Sequence, residues 1–73
     1  MEAYFNVIFE IRKGLGPDTF LKTIAVGFDD LPPDTTDYEL RQMAILEAES
    51  YLYKSEDYHL YRKNWKVAEV ERG

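Results

Sequence analysis

The sequence predicts an α+β fold: a small ββαβ domain in which a three-stranded antiparallel-type sheet packs on one helix. Three observations predict it. Two runs near the N-terminus alternate apolar and polar residues, the period-two signature of half-buried strands. A helix-capping pattern then opens a stretch of helical spacing. A short segment with Trp and two Val near the C-terminus reads as a third strand. The 73 residues are expected to form a single domain over residues 1–73.

The first strand covers residues 4–12, YFNVIFEIR. Phe5, Val7, Phe9 and Ile11 point one way. Tyr4, Asn6, Glu10 and Arg12 point the other, with Ile8 as the apolar exception. Residues 13–18, KGLGPD, form a turn, because two Gly and a Pro supply unusual φ values and interrupt pairing. The second strand covers residues 19–28. Phe20, Ile24, Val26 and Phe28 share a face with Lys22, and Thr19, Leu21, Thr23, Ala25 and Gly27 share the other. Two such runs joined by a short Gly-containing connection predict a hairpin.

The segment Asp29 to Asp34, with consecutive prolines, ends the second strand, since Pro donates no ladder hydrogen bond. Thr36 is the expected N-cap and Glu39 its partner three residues on. Asp34 and Asp37 suit the positive end of the helix dipole. The helix is expected to run to about Lys54. Leu40, Ala44, Ala48, Tyr51 and Leu52 follow the spacing of a core-facing stripe, and the two Ala allow close approach to the sheet. A second row of Met43, Leu46, Ser50 and Tyr53 lies on another side and needs a partner of its own.

Ser55 to Asp57 reads as a break, with one more helical turn through Tyr61 to follow. Residues 65–71, WKVAEVE, read as the last strand, with a helix through residues 56–71 as the competing reading. Their alternation is imperfect. Val67 and Val70 fall on opposite faces unless a bulge intervenes. In element order and size, over the whole chain, the layout resembles the small open ββαβ domains common among short phage and prophage proteins. The resemblance rests on no signature motif and implies no functional residues.

Length and composition bound the function. A chain this short buries only about 60% of its unfolded surface. It contains no Cys and one His, which rules out disulfides and thiolate zinc sites. Six Tyr, four Phe and one Trp supply large buried areas instead. The N-terminal stretch has an acid at Glu2 and no basic opening segment, so no secretory signal is expected. The apolar runs are far shorter than a membrane span. A cytoplasmic location is expected, in keeping with zero Cys.

The net charge of −5 is uneven, at −6 over residues 1–50 and +1 over residues 51–73. An acidic chain is a poor general duplex binder, because phosphate contacts supply most of that affinity. Catalysis lacks its parts. The only serines are Ser50 and Ser55, and the only His is His59, two residues from Asp57. A surface imidazole outweighs a poised charged pair there. Asp29, Asp30 and Asp34 lack the alternating spacing and turn glycine of a calcium loop. Gly14 and Gly16 lack the third glycine and the helix of a dinucleotide loop. No cofactor and no metal is expected.

The richest segment is YLYKSEDYHLYRKNW, residues 51–65, with four Tyr and the only Trp. Core or edge packing is its simplest use. Beyond that, interfaces favour Tyr, Trp and Arg. The expected function is therefore a non-enzymatic protein-interaction module of inhibitor or adaptor type. Its contacts would be Met43, Leu46, Tyr53, Tyr58, Tyr61 and Trp65, and its partner another protein or a second copy of the chain, not a membrane. The alternative is single-stranded nucleic acid, with Tyr58, Tyr61 and Trp65 stacking bases beside Arg62, Lys63 and Lys66. A third reading, a DNA-mimicking acidic surface from Asp29 through Glu39 with Glu47 and Glu49, competes with an ordinary solvated face.

Overall fold

Strand β1 (Ala3–Arg12) lies between two antiparallel neighbours, β2 (Thr19–Phe28) and β3 (Trp65–Arg72), in the order β2-β1-β3. A computed structural model of the chain describes residues 2–12, 16–54 and 65–73, and shows one helix, α1 (Asp37–Lys54), between β2 and β3 in sequence. The α+β ββαβ expectation is met, and the third strand is a strand rather than a helix. The expected extra turn and the aromatic–basic residues between Ser55 and Asn64 lie outside the described residues.

Alternation on β1 sets the core. Ala3, Phe5, Val7, Phe9 and Ile11 are all buried. Each fully buried large apolar side chain contributes about 1.5–3 kcal/mol relative to exposure. The hairpin register pairs Phe5 with Val26, Val7 with Ile24, Phe9 with Lys22 and Ile11 with Phe20. The predicted apolar face of β2 thus continues the β1 face, with Lys22 included.

The bulge that the sequence demanded is present in β3. Ile8 pairs with Glu69 and Phe9 with Val67, which leaves Ala68 as the extra residue. Val67 and Val70 then both stand opposite core residues of β1, Phe9 and Val7. Trp65 opposite Ile11 and Arg72 opposite Phe5 complete that face. The Gly73 amide carries the ladder one step further by donating to the Tyr4 carbonyl at 2.8 Å.

The helix begins where the capping residues place it. The Glu39 amide donates to Thr36 Oγ1 at 3.2 Å, and the Leu40 amide to the Thr36 carbonyl at 3.0 Å. Before it, the Thr35 amide and hydroxyl both donate to the Pro32 carbonyl, closing a turn. Asp30 takes a left-handed φ of 55°, and the next residue, Leu31, is buried in the core. That contribution from a loop was not evident from the acidic, Pro-rich segment around it.

Leu40, Ala44, Ala48 and Leu52 are the buried residues of the helix. Tyr51 is a correction. It was expected on the core stripe but is 48% exposed. Four residues turn an α-helix through about 400°, so an i, i+4 row drifts by about 40° per step. By Leu52 the buried direction has moved to the side away from Tyr51. The molecule is thin, with extents of 44 × 20 × 15 Å and a radius of gyration of 13.5 Å against about 11 Å for a compact chain of this length. Among the described residues, one helix on one sheet leaves the second sheet face uncovered.

Two measurements test this layout. Deleting Ala68 restores strict alternation while keeping Val67 opposite Phe9 and Val70 opposite Val7. The variant is expected to fold with the same register and a thermal midpoint within about 5 °C of wild type, roughly 1 kcal/mol at this size. Global unfolding on deletion would show that the bulge itself is required. Thr36→Ala removes the side-chain cap and is expected to cost about 1 kcal/mol in chemical denaturation. No change would show that the Glu39 amide finds an equivalent acceptor.

Candidate functional site

The outer face of α1 gathers three of the expected contact residues. Successive helical residues turn by about 100°, so Met43, Leu46 and Tyr53 fall in one sector about 80° wide, with Ser50 among them. Leu46 is 70% exposed, Tyr53 is 46% exposed, and Met43 is exposed as well. Glu47 and Glu49 lie about 40° to either side of this sector. The result is an apolar ridge with Glu47 and Glu49 on its flanks, Glu39 in its sector at the first turn and Lys54 beside it at the last.

At the C-terminal end of the ridge the Tyr53 ring meets Trp65 edge-on, with centroids 5.5 Å apart and planes at 77°. Trp65 is half-buried and packs against the core cluster. It joins the ridge to the sheet. The structure therefore brings Met43, Leu46, Tyr53 and Trp65 onto two packed elements. Tyr58, Tyr61, Arg62 and Lys63 lie outside the described residues. Lys66, the remaining member of the nucleic-acid alternative, is exposed and reaches Glu10 Oε2 at 3.7 Å.

The other end of the helix carries an ionic clamp. Arg41 Nε lies 2.6 Å from Asp37 Oδ2, and Arg72 Nη1 lies 3.2 Å from Asp37 Oδ1. Arg41 Nη1 also donates to the Val70 carbonyl. Both guanidinium carbons sit over the buried Phe5 ring, at 5.8 Å for Arg41 and 5.6 Å for Arg72. One carboxylate thus ties the first helical turn to the end of β3, with two cations roofing an aromatic ring. The hydrogen bond from Arg41 is the main reason the Asp37 carboxyl is held below its ordinary range. Partial desolvation opposes it, while the Arg41 charge and the Arg72 contact add to it.

The uncovered sheet face was sorted correctly by its period but not weighed as a surface. Leu21 there is 67% exposed, and Tyr4, opposite Gly27 toward the other end of the hairpin, is exposed as well. The Tyr4 ring lies over Gly27, where an added Cβ would come within 3.0 Å of two ring carbons. Its hydroxyl donates to Glu2 Oε2 at 3.3 Å, and the Glu2 charge raises the phenol above its usual range. Tyr38, in the first helical turn, is a further exposed ring missed in the sequence. Its signal was its angular distance from Leu40 on the helix.

Among the described residues, no group of three or more His, Cys, Asp or Glu side chains is placed to hold a metal ion. None of the described helix is long and apolar enough to cross a membrane. No protein-family model matches the chain, and neither the curated proteins nor the solved structures contain a significant match.

Asp37 gives a pH test. Its folded carboxyl titrates below the ordinary range, so ionised Asp37 favours the folded state. That contribution is complete above the ordinary carboxylate pKa and is lost as pH falls through the lower folded value. Asp37→Asn is expected to lower the thermal midpoint at neutral pH, with the gap narrowing as pH falls through the lowered folded-state value. An undiminished gap in acid would assign the effect to packing instead.

Proposed function

We propose that this chain is a small non-enzymatic protein-interaction module of inhibitor or adaptor type, and that it docks through the outer face of α1. The observation that carries the reading is Leu46, a large aliphatic side chain 70% exposed at the middle of a capped 18-residue helix. Met43 one turn before it and Tyr53 two turns after it place three apolar side chains along one face, as in a helix laid into a groove.

Charge specifies the groove. Glu47 and Glu49 flank the ridge, so a partner with basic residues on both rims of an apolar cleft complements it, and a partner with acidic rims is repelled. Three apolar anchors at about 1.5–3 kcal/mol each give about 4.5–9 kcal/mol, comparable to the roughly 4–15 kcal/mol cost of association. The interaction is therefore expected to be weak to moderate and salt-sensitive. A cytoplasmic setting agrees with the absence of Cys. A phage-like origin agrees with the size and element order.

Leu46→Asp tests the reading, because the position is exposed and the substitution leaves the core untouched. Immobilised wild type is expected to retain a partner from cell extract that elutes as salt rises. The variant, with an unchanged circular dichroism spectrum, is expected to retain at least tenfold less. An identical set of proteins on both, or none on wild type, overturns the proposal.

A further inference from the structure

The two edges of the sheet are built differently. On β3 the sequence from Trp65 to Arg72 carries four charges, Lys66, Glu69, Glu71 and Arg72. A bulge at Ala68 interrupts its ladder with β1, and the Arg41 guanidinium occupies the Val70 carbonyl. Charges and bulges are the usual guards against edge-to-edge pairing. The β2 edge has almost none. TFLKTIAVGF is ten residues long, contains no Pro and carries one charge, Lys22. Among the described residues it has a neighbour on one side only.

The core also thins toward this edge. On β1 the inward side chains are fully buried, whereas on β2 Ile24 and Phe28 are half-buried. A strand added beside β2 would extend the same apolar face and cover them.

We infer that β2 pairs with β2 of a second copy of this chain, giving a continuous six-stranded antiparallel sheet with both helices on one face. A second copy fits because the β2 sequence is complementary to itself when run antiparallel about Thr23, with Phe20 meeting Val26 and Leu21 meeting Ala25. Each chain carries a net charge of −5, so two copies repel wherever acids meet. From Thr19 to Phe28 there is no acid, so approach along β2 brings together the stretch of each sheet that lacks negative charge.

Geometry selects the register. Residues opposite each other in an antiparallel pair share a face, so a two-fold axis must pass through a residue rather than between two. With Thr23 on the axis, nine residues pair over about 30 Å. Phe20 then faces Val26 on the helix side, and Leu21 faces Ala25 on the open side. Aromatic–β-branched and Thr–Thr pairs are favourable across strands. Lys22 faces Ile24, so the two lysines never stand directly opposite, and each stem reaches past apolar surface to water.

Sedimentation velocity over micromolar to millimolar concentration tests the inference, with twice 8.6 kDa expected for wild type. Leu21→Lys combined with Ala25→Lys sets Lys against Lys across the axis at two exposed positions. That chain is expected to sediment as a single copy with an unchanged circular dichroism spectrum. Mixing it with a Leu21→Glu, Ala25→Glu chain is expected to restore the double mass. Thr23→Cys, in a chain with no other Cys, is expected to give a disulfide-linked dimer on mild oxidation. A single-copy wild type throughout the range, or a dimer that persists in the double-Lys chain, overturns the inference. A dimer abolished by Leu46→Asp but not by the double-Lys change also overturns it, while leaving the helix face as a docking element.

Discussion

Everything in the described fold hangs on β1, the strand with neighbours on both sides. Ala3, Phe5, Val7, Phe9 and Ile11 form an unbroken buried row, and each edge strand takes its register from them. The helix is fitted to the same row. Leu40 and Leu52 fill its ends, while Ala44 and Ala48, both fully buried, let the backbone come close in the middle. A chain of 73 residues has enough large apolar side chains to dress one face of a three-stranded sheet. It does so completely along β1, partly along the edges, and leaves the opposite face to Tyr4, Ile8, Leu21 and polar residues.

That constraint explains the bulge in β3. The strand must put Trp65, Val67, Val70 and Arg72 opposite four core residues, and strict alternation allows Val67 and Val70 only on opposite faces. The extra residue, Ala68, reconciles the two. Arg72 stands where an apolar residue would be expected, opposite Phe5. Its charge is accommodated because the guanidinium lies over the Phe5 ring and reaches Asp37. The ionic clamp is therefore a consequence of register as much as of charge. It closes the end of the core that the short third strand leaves open.

Local patterns were legible wherever one face is buried and the other is wet. The alternation in β1 and β2, the Thr36 cap and the i, i+4 row from Leu40 could all be read residue by residue. So could Met43, Leu46 and Tyr53, since helical periodicity alone separates them from that row. Features that join distant parts of the chain were not legible. Asp37 and Arg72 are 35 residues apart in sequence, and nothing local couples them. Tyr51 failed for a subtler reason. Integer spacing suggested a fixed stripe, whereas the buried row drifts around the helix as it crosses the sheet. Leu31 was hidden because its neighbours are acids and prolines, and only the left-handed turn at Asp30 aims it inward.

The order of the strands was also invisible to local pattern, and it matters most for function. It decides that the weakly charged strand is an edge and the guarded strand is the other edge. A two-fold axis normal to the sheet at Thr23 would leave both helices on the same side, so two ridges of Met43, Leu46 and Tyr53 would face the same way. A target offering two basic-rimmed grooves at matching separation would then be held twice. The second contact would be made at the high effective concentration set by a rigid sheet rather than a flexible linker. Each ridge alone offers about as much as association costs. Pairing two of them converts a marginal contact into a firm one without any new side chain, and it does so only for partners whose sites match the spacing fixed by the β2 register.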